Sequence, residues 1–314
     1  MVVQQCPVCD SSKNKFLAQY KNKYKLYSCT ECDLYFYIPR DYTREQYEQD
    51  YFRTDTPFDY SIWLANLKEI HSSKKGEEKY CNYSYLKEIV KLVPKIIPSG
   101  STILDIGCGS GFTLKKLKEK GYKMYGIEIV EQLVKGLLSL GYDVYNGDFS
   151  DYPKTWNMPH LVIASEVLEH LDEPLQFLKA VKEKFSSAIL LVTVPSPNRV
   201  SRFKKIDDPC DYPPYHFTRW SKRSLEYALK KAGYREIEIK EYPVPASETP
   251  YPAYPAIISF LGRAVLRPLR KHSKEPETTP VAIFVSRALL SRIFAFYYTL
   301  LGAKGWSMIA TAKP

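Results

Sequence analysis

Residues 102–111 read TILDIGCGSG and run straight into the helix-like FTLKKLKEK. A β-branched apolar run of this kind is a buried strand, and Asp105-x-Gly107-x-Gly109-x-Gly111 turns it into a helix N-terminus. Glycine tolerates positive φ and carries no Cβ, so such a turn lets backbone approach a ligand closely. A dinucleotide fingerprint, G-x-G-x-x-G/A, is the nearest rival, but its last position here is Phe112.

The rest of the chain decides what the turn belongs to. Strands and helices alternate after it: YKMYGIEI, EQLVKGLLSL, DVYNGD, HLVIAS, EPLQFLKAVKEKF and AILLVTV, then SKRSLEYALKKAG, YREIEIKEY and GWSMIATAK. Continuous apolar strands alternating with helices predict a parallel α/β sheet covered on both faces, with the last two strands as an antiparallel edge. Before the turn, residues 77–93 carry apolar residues at helical spacing (Tyr85, Leu86, Ile89, Val90, Val93), and Pro94 and Pro98 are expected to end that helix. Ser221 is the expected N-cap and Gly233 the C-cap of the helix between the fifth and sixth strands.

Ligands of open α/β sheets bind beyond the carboxyl ends of the strands. Asp105, Glu128, Asp148 and Glu166 close four successive strands there. One such carboxylate is an ordinary helix cap; four in succession call for more than capping. Glu128 can accept hydrogen bonds from two ribose hydroxyls.

Asp-x-Gly-x-Gly-x-Gly resembles motif I of the class I S-adenosylmethionine (SAM) methyltransferases. With GIE, GDF and SEVLEHL, residues 102–194 resemble the ubiquinone-biosynthesis-like O-methyltransferase branch, in the methyltransferase type 11/23 group. The resemblance implies a Rossmann-like sheet of order 3-2-1-4-5-7-6 and SAM as cofactor. It also implies a SAM site built from Asp105, Gly107, Gly109, Gly111, Glu128, Asp148, Phe149 and Glu166, with Asp148 at the adenine amino group and Phe149 against the ring. Glu166, Glu169 and His170 match the E-x2-E-H pattern of the ubiquinone O-methyltransferases, some of which use a divalent cation there.

A methyl transferred from a sulfonium is already activated, so the protein has to align the acceptor and, where needed, remove its proton. His170, just past the fourth strand, and His216, in DYPPYHFTRW after the fifth, are the candidate bases. Each has a plain alternative, a helix-start residue for His170 and a loop-fixing one for His216. Arg199, Arg219 and Lys222 are read as solvated cations, with an anionic group on the acceptor as the alternative.

Cys6-Pro-Val-Cys9 and Cys29-Thr-Glu-Cys32 form two C-x2-C knuckles separated by nineteen residues. Their spacing predicts a zinc ribbon with structural Zn2+, since four protein ligands leave no open coordination position. Cys81, Cys108 and Cys210 are read as packing residues. Residues 1–20 lack the apolar core of a cleavable leader, so a cytoplasmic location with reduced or metal-bound cysteines is expected.

The expected organisation is a zinc ribbon over 1–38, a linker with covering helices over 39–76 and a methyltransferase domain over 77–314. A helical insertion interrupts that domain at 244–303. Within the insertion, Arg263, Arg267 and Arg270 share one helix face opposite Ile257, Ile258, Leu261, Val265 and Leu269. That pattern fits peripheral membrane contact through 257–301 at the inner membrane face, or equally packing on the sheet or a dimer contact. Residues 281–301 reach spanning length, but Arg287 and Arg292 near their middle disfavour spanning.

A net charge of +10 and 26 tyrosines leave room for nucleic acid. Base-amino methyltransferases, however, place [DN]-P-P-[YF] directly after the fourth strand, where this chain has Ser165-Glu166-Val167-Leu168. The expected function is therefore SAM-dependent methylation, at oxygen or at carbon, of a small-molecule or lipid-linked acceptor. RNA base methylation, with the ribbon docking the RNA, is the alternative.

Overall fold

A computed structural model describes residues 4–40, 46, 61–81, 83–203, 211–245, 292 and 294–314. The N-terminal strands β1 (Asn14–Tyr20), β2 (Tyr24–Cys29) and β3 (Tyr35–Ile38) form an antiparallel meander. The cysteine knuckles flank it, and no disulfide joins any described cysteine.

Helices α1 (Ser61–Ser72), α2 (Lys74–Tyr80) and α3 (Ser84–Ile96) lead to the sheet. Two expectations need correction here. The helix read over 77–93 is two helices, since the backbone N–H of Cys81 closes α2 on Glu77 O and α3 starts afresh at Ser84 after its N-cap Tyr83. Pro94 does not end α3 but lies inside it. A proline removes one N–H and disfavours the helical state of its predecessor, yet burial of Ile89 and Val93 carries the helix on to Ile96.

The remaining elements follow the predicted alternation. They are β4 (Thr102–Ile106), α4 (Phe112–Lys118), β5 (Lys123–Glu128), α5 (Glu131–Ser139), β6 (Val144–Asn146), β7 (Leu161–Ser165), α6 (Pro174–Lys184) and β8 (Ile189–Pro195). After β8 come the one-turn α7 (Val200–Phe203), the short β9 (Thr218–Arg219), α8 (Lys222–Lys231), β10 (Arg235–Pro243) and β11 (Lys304–Lys313). The seven-stranded sheet runs β6-β5-β4-β7-β8-β11-β10. Numbered from β4, that is the expected order 3-2-1-4-5-7-6, with β11 antiparallel between β8 and β10.

Side chains alternate across a strand, and here the alternation builds two cores. Leu104, Ile106, Val162, Ala164, Leu190 and Val192 face α6 and α8 through Leu178, Val181, Leu225 and Leu229. Ile103, Met124, Leu161, Ile163 and Leu191 face α3, α4 and α5 through Val93, Leu117, Leu133 and Leu137. Ser221 caps α8 as expected: its Oγ accepts from Ser224 N, and the Ser224 side chain completes a capping box. Ala232 is the C-cap residue itself, and Gly233 follows it at φ +92°.

The cysteine module is welded to the large domain. Its strand β3 pairs with β9 (Tyr35 with Arg219, Phe36 with Thr218), so the ribbon sheet has the order β1-β2-β3-β9. Cys29, Cys32, Leu34 and Phe36 share one core with Trp220 and Leu225. Polar ties surround this contact: Arg223 Nη2 donates to Glu31 O at 2.8 Å, and Lys231 Nζ meets Asp10 Oδ2 at 2.6 Å.

The arginine face of Arg263, Arg267 and Arg270, with Arg287 and Cys210, lies outside the described residues. Residues 294–300 are helical; Ala295 packs with Val200, Val244 and Ala303, while Phe296 and Leu300 are exposed. No helix among the described residues is long and apolar enough to cross a membrane.

Candidate active site

A cavity of about 450 Å³ opens at the carboxyl ends of β4, β5 and β7. Asp105, Gly107, Gly109, Glu128, Asp148, Phe149, Glu166 and His170 all line it, joined by Tyr85 and Phe217. Gly111 stands one position from its lining residues Ser110 and Phe112 and caps α4 at φ 72°. The glycines are required: Gly107 has φ +73°, and a Cβ there would come within 2.9 Å of Val167 Cγ2.

Glu128 ties the turn to its neighbouring strand. Its Oε2 accepts from Gly109 N at 2.9 Å, and its Oε1 accepts from Ile129 N and Val130 N at 2.8 and 3.0 Å. Asp105, fully enclosed behind it, is pushed up to about 8 by burial and then by the Glu128 charge. A second clamp comes from the covering helix α1. His71 Nε2 lies 2.8 Å from Ser110 O, and a carbonyl can only accept, so Nε2 carries the proton and Nδ1 accepts from Tyr142 Oη at 2.8 Å.

Asp148 caps a 3-10 turn, accepting from Ser150 N at 2.8 Å, which is the capping role open to any acidic strand-end residue. Phe149 is buried on the cavity wall, edge-on to Phe177 at 5.2 Å. Glu166 sits at φ 55°, a strained backbone for a non-glycine residue. Thr193 on β8 holds it there: Thr193 O and Oγ1 accept from Glu166 N, and Thr193 Oγ1 donates to Glu166 Oε1 at 2.8 Å. Thr193 has one hydroxyl proton, so the 2.8 Å contact with Ser165 is donated by Ser165. Burial pushes Glu166 up to about 7 against the opposing pull of the Thr193 hydrogen bond.

The two histidines meet. Their rings are 4.9 Å apart at 77°. His170 Nδ1 lies 2.7 Å from Tyr215 O and therefore donates, leaving the basic lone pair on Nε2. Burial, then the neighbouring His216, lowers His170 to about 3, so its imidazole is neutral at neutral pH. His216 is buried, with Nδ1 3.6 Å from Asp211 Oδ1. Burial disfavours the Asp211 charge, but His216, Arg199 and Arg202 together hold the carboxyl well below its usual range.

Glu169 adds a group whose environment the sequence did not disclose. It is fully buried, neither carboxylate oxygen has a hydrogen-bond partner among the described residues, and burial followed by Glu166 raises it well above its usual range. Its oxygen and one nitrogen each of His170 and His216 lie within 4.8 Å of one another. A carboxylate with two imidazoles is a donor set for a divalent cation, and a cation there would satisfy the orphaned oxygens. The expected E-x2-E-H grouping thus changes membership, since Glu166 is engaged by Thr193 and His216 takes its place.

The four cysteines Cys6, Cys9, Cys29 and Cys32 converge, all sulfurs within 4.8 Å. Cys6 Sγ and Cys32 Sγ are 3.6 Å apart, Cys9 Sγ and Cys29 Sγ 3.3 Å. Thiolates about 2.3 Å from a tetrahedral zinc stand at comparable separations. Sharing a hydrogen bond with Cys32 lowers Cys6 to about 5, while that same bond and burial raise Cys32. Thiols this crowded need a cation before all four can ionise, so the residues fit the metal.

The expectation of solvated cations fails for Arg199, which is 3 % exposed. Cys81 and Cys108 are buried, as expected of packing residues.

With fold and cavity in place, the chain can be set beside known proteins. Residues 78–239, just over half of the sequence, match the methyltransferase domain family, and the chain belongs to that family. It is therefore a SAM-dependent methyltransferase of the α/β Rossmann-like class. A ubiquinone biosynthesis O-methyltransferase of Nitrosospira multiformis is 29% identical over 92 residues, a stretch covering 27% of this chain and 38% of that protein. The match thus spans well under half the length of that relative. A SAM-dependent methyltransferase from Archaeoglobus fulgidus is 19% identical, covering 76% of this chain and 97% of its own, at a TM-score of 0.45. A chain from the complex of the Haloferax volcanii Trm112 methyltransferase activator with a methyltransferase is 16% identical, covering 81% and 97%, at 0.48. At such scores neither structure carries an argument, and the class rests on the family match and the strand order.

Proposed function

We propose that this protein methylates an oxygen of a small-molecule or lipid-linked acceptor, with the His170–His216 pair receiving the acceptor's proton. Support comes from one arrangement: His170 lines the cavity at the strand ends, and behind it His216 is buried against the Asp211 carboxylate. SAM supplies an activated methyl when bound. The chain's own part is to hold, orient and deprotonate.

Gly107, Gly109 and Gly111 give the cofactor backbone access, and Asp105 and Glu128 present carboxyl groups to its amino and ribose ends. Asp148 and Phe149 serve the adenine, and Glu166 closes the far wall. A hydroxyl at the mouth passes its proton to the imidazoles as its oxygen takes the methyl. His216 stands beside the Asp211 carboxylate, the arrangement of a carboxylate–histidine dyad. His170 stays neutral and orients the exchange. Cys6, Cys9, Cys29 and Cys32 hold a structural Zn2+ that fixes the N-terminal module. Over 1–38 that module is a ribbon, over 39–76 a linker with covering helices, and 77–314 form the catalytic domain.

Incubating the protein with methyl-labelled SAM and a cell extract tests this reading. Label in an alkali-stable ether, soluble or lipid-extractable, is expected, and His216→Gln should lower its formation about 10²–10⁴-fold with SAM binding retained. Nuclease-sensitive label would overturn it in favour of RNA.

A further inference from the structure

A second cavity, of about 250 Å³, lies beside the first. Arg199, Arg202, Arg219, Asp211, His216 and Trp220 are among the residues that line it. His170 lines the first cavity and His216 the second, so the touching imidazoles stand one on each wall.

The lining is unbalanced in charge. Three guanidiniums face one carboxylate among the described residues, an excess of two positive charges before His216 is considered. Asp211 is already fully used: Arg199 Nη2 meets its Oδ1, Arg202 Nε donates to its Oδ2 at 2.8 Å, and Arg219 Nη2 donates to its backbone carbonyl at 2.9 Å. Arg219 is further fixed over the rings of Tyr212 and Tyr37, at 4.8 and 5.2 Å. Guanidiniums held flat and forked in this way are preorganised for an oxyanion.

Two donors lack an acceptor. Arg199, 3 % exposed, has no partner for its Nε, and Trp220, 2 % exposed, has none for its indole Nε1, among the described residues. Both groups can only donate. Buried donors left unpaired are costly, and they point to an acceptor from outside the described residues. Burial, then like-charge crowding by Arg202, lowers Arg219, and a nearby anion would oppose both.

We propose that this second cavity is a subsite for a phosphoryl group carried by the methyl acceptor. A phosphomonoester brings about −1.5 to −2 charges at neutral pH and three acceptor oxygens. That matches two excess charges and the orphaned donors, whereas a carboxylate brings one charge and two oxygens. The inference rests on the methyl-transfer reading for its word "acceptor", but the phosphate site itself does not depend on it. Seated there, the phosphoryl group places the rest of the molecule across the two imidazoles toward the first cavity.

Calorimetric titration of the full chain with phenyl phosphate, in chloride buffer and without SAM, tests the site; SAM titrated separately tests the fold. Phenyl phosphate should bind, and Arg202→Gln, at an arginine far more exposed than Arg199, should weaken it about tenfold or more while SAM affinity holds. Trp220→Phe removes one donor and should weaken it severalfold. Sedimentation with vesicles containing phosphatidic acid separates the sources. Co-sedimentation lost in Arg202→Gln puts the phosphoryl group on a lipid, whereas binding to phenyl phosphate alone puts it on a soluble compound. The proposal fails if wild-type protein that binds SAM ignores both phosphate probes, if benzoate binds as tightly as phenyl phosphate, or if neither substitution matters. Failure to bind SAM instead strikes the methyltransferase reading and leaves the phosphate result standing.

Discussion

Tyr37 donates its backbone N–H to the carbonyl of Phe217 at 2.9 Å, and Phe217 follows His216 directly. The hydrogen bond extends the β3–β9 ladder to the edge of the loop that carries His216. What orders the cysteine module therefore orders the loop that carries His216.

Cys29→Ser should release the metal, read by elemental analysis, and lower turnover about a hundredfold through misplacement of the His216 loop. SAM affinity, which the proposal assigns to the glycine turn after β4, should change little. A zinc-free protein with full turnover would detach the module from catalysis.

Glu128→Gln tests the clip on the glycine turn. A carboxylate accepts from Gly109 on one oxygen and from Ile129 and Val130 on the other. An amide has one accepting oxygen, so its NH2 must face at least one backbone N–H. SAM affinity by calorimetry should fall at least about tenfold. Unchanged affinity would show that the turn holds itself.

Stability should depend on pH with a definite sign. Asp105, at about 8, and Glu166, at about 7, are both raised in the folded chain, the first by burial and the Glu128 charge, the second by burial. Between the ordinary carboxylate range and these values the folded state holds protons that the unfolded state has released. Their contribution is whole below the unfolded pKa and is lost as pH rises through 7 to 8. Urea midpoints should fall from pH 6 to pH 9, and the slope should flatten in the Asp105→Asn, Glu166→Gln double variant. Asp211, held low, acts with the opposite sign only in acid, outside this window.

Thr193→Val keeps the shape of the side chain and removes the hydroxyl that meets both the backbone and the carboxylate of Glu166. The Glu166 N–H keeps the Thr193 carbonyl, so the loss falls on its second acceptor and on the hydrogen bond to the carboxylate, and should cost about 1–3 kcal/mol in urea unfolding. The loss should shrink when Glu166 is already Gln, a coupling that a double-mutant cycle reads directly.

Much of this was legible along the chain because it is local. The strand–glycine–helix turn, the strand-end carboxylates and the paired cysteines are all patterns within a few residues, and each stands where its spacing put it. What escaped is built across the fold. Thr193 is one polar residue in an apolar strand, and only the β7–β8 pairing shows that it faces Glu166. His71 reaches the turn from a covering helix, and Glu169 meets His216 only because the fold brings the loop after β8 back to it, with Phe217 N on its carbonyl. Arg199 looked like a surface cation because nothing nearby in sequence announces Asp211 as its partner. Pro94 misled for the opposite reason: a strong local rule yielded to the burial of Val93.

The β3–β9 ladder also sets an order of assembly. The knuckles are neighbours in the chain, and a metal ion can close them as soon as both have been made. Pairing Tyr35 with Arg219, by contrast, closes a loop that encloses most of the sheet, and closing a long loop has to wait for the contacts inside it. The N-terminal module is then the first part of the chain able to fold and among the last to dock. The loop bearing His216 takes its final shape only when the two ends of that history meet.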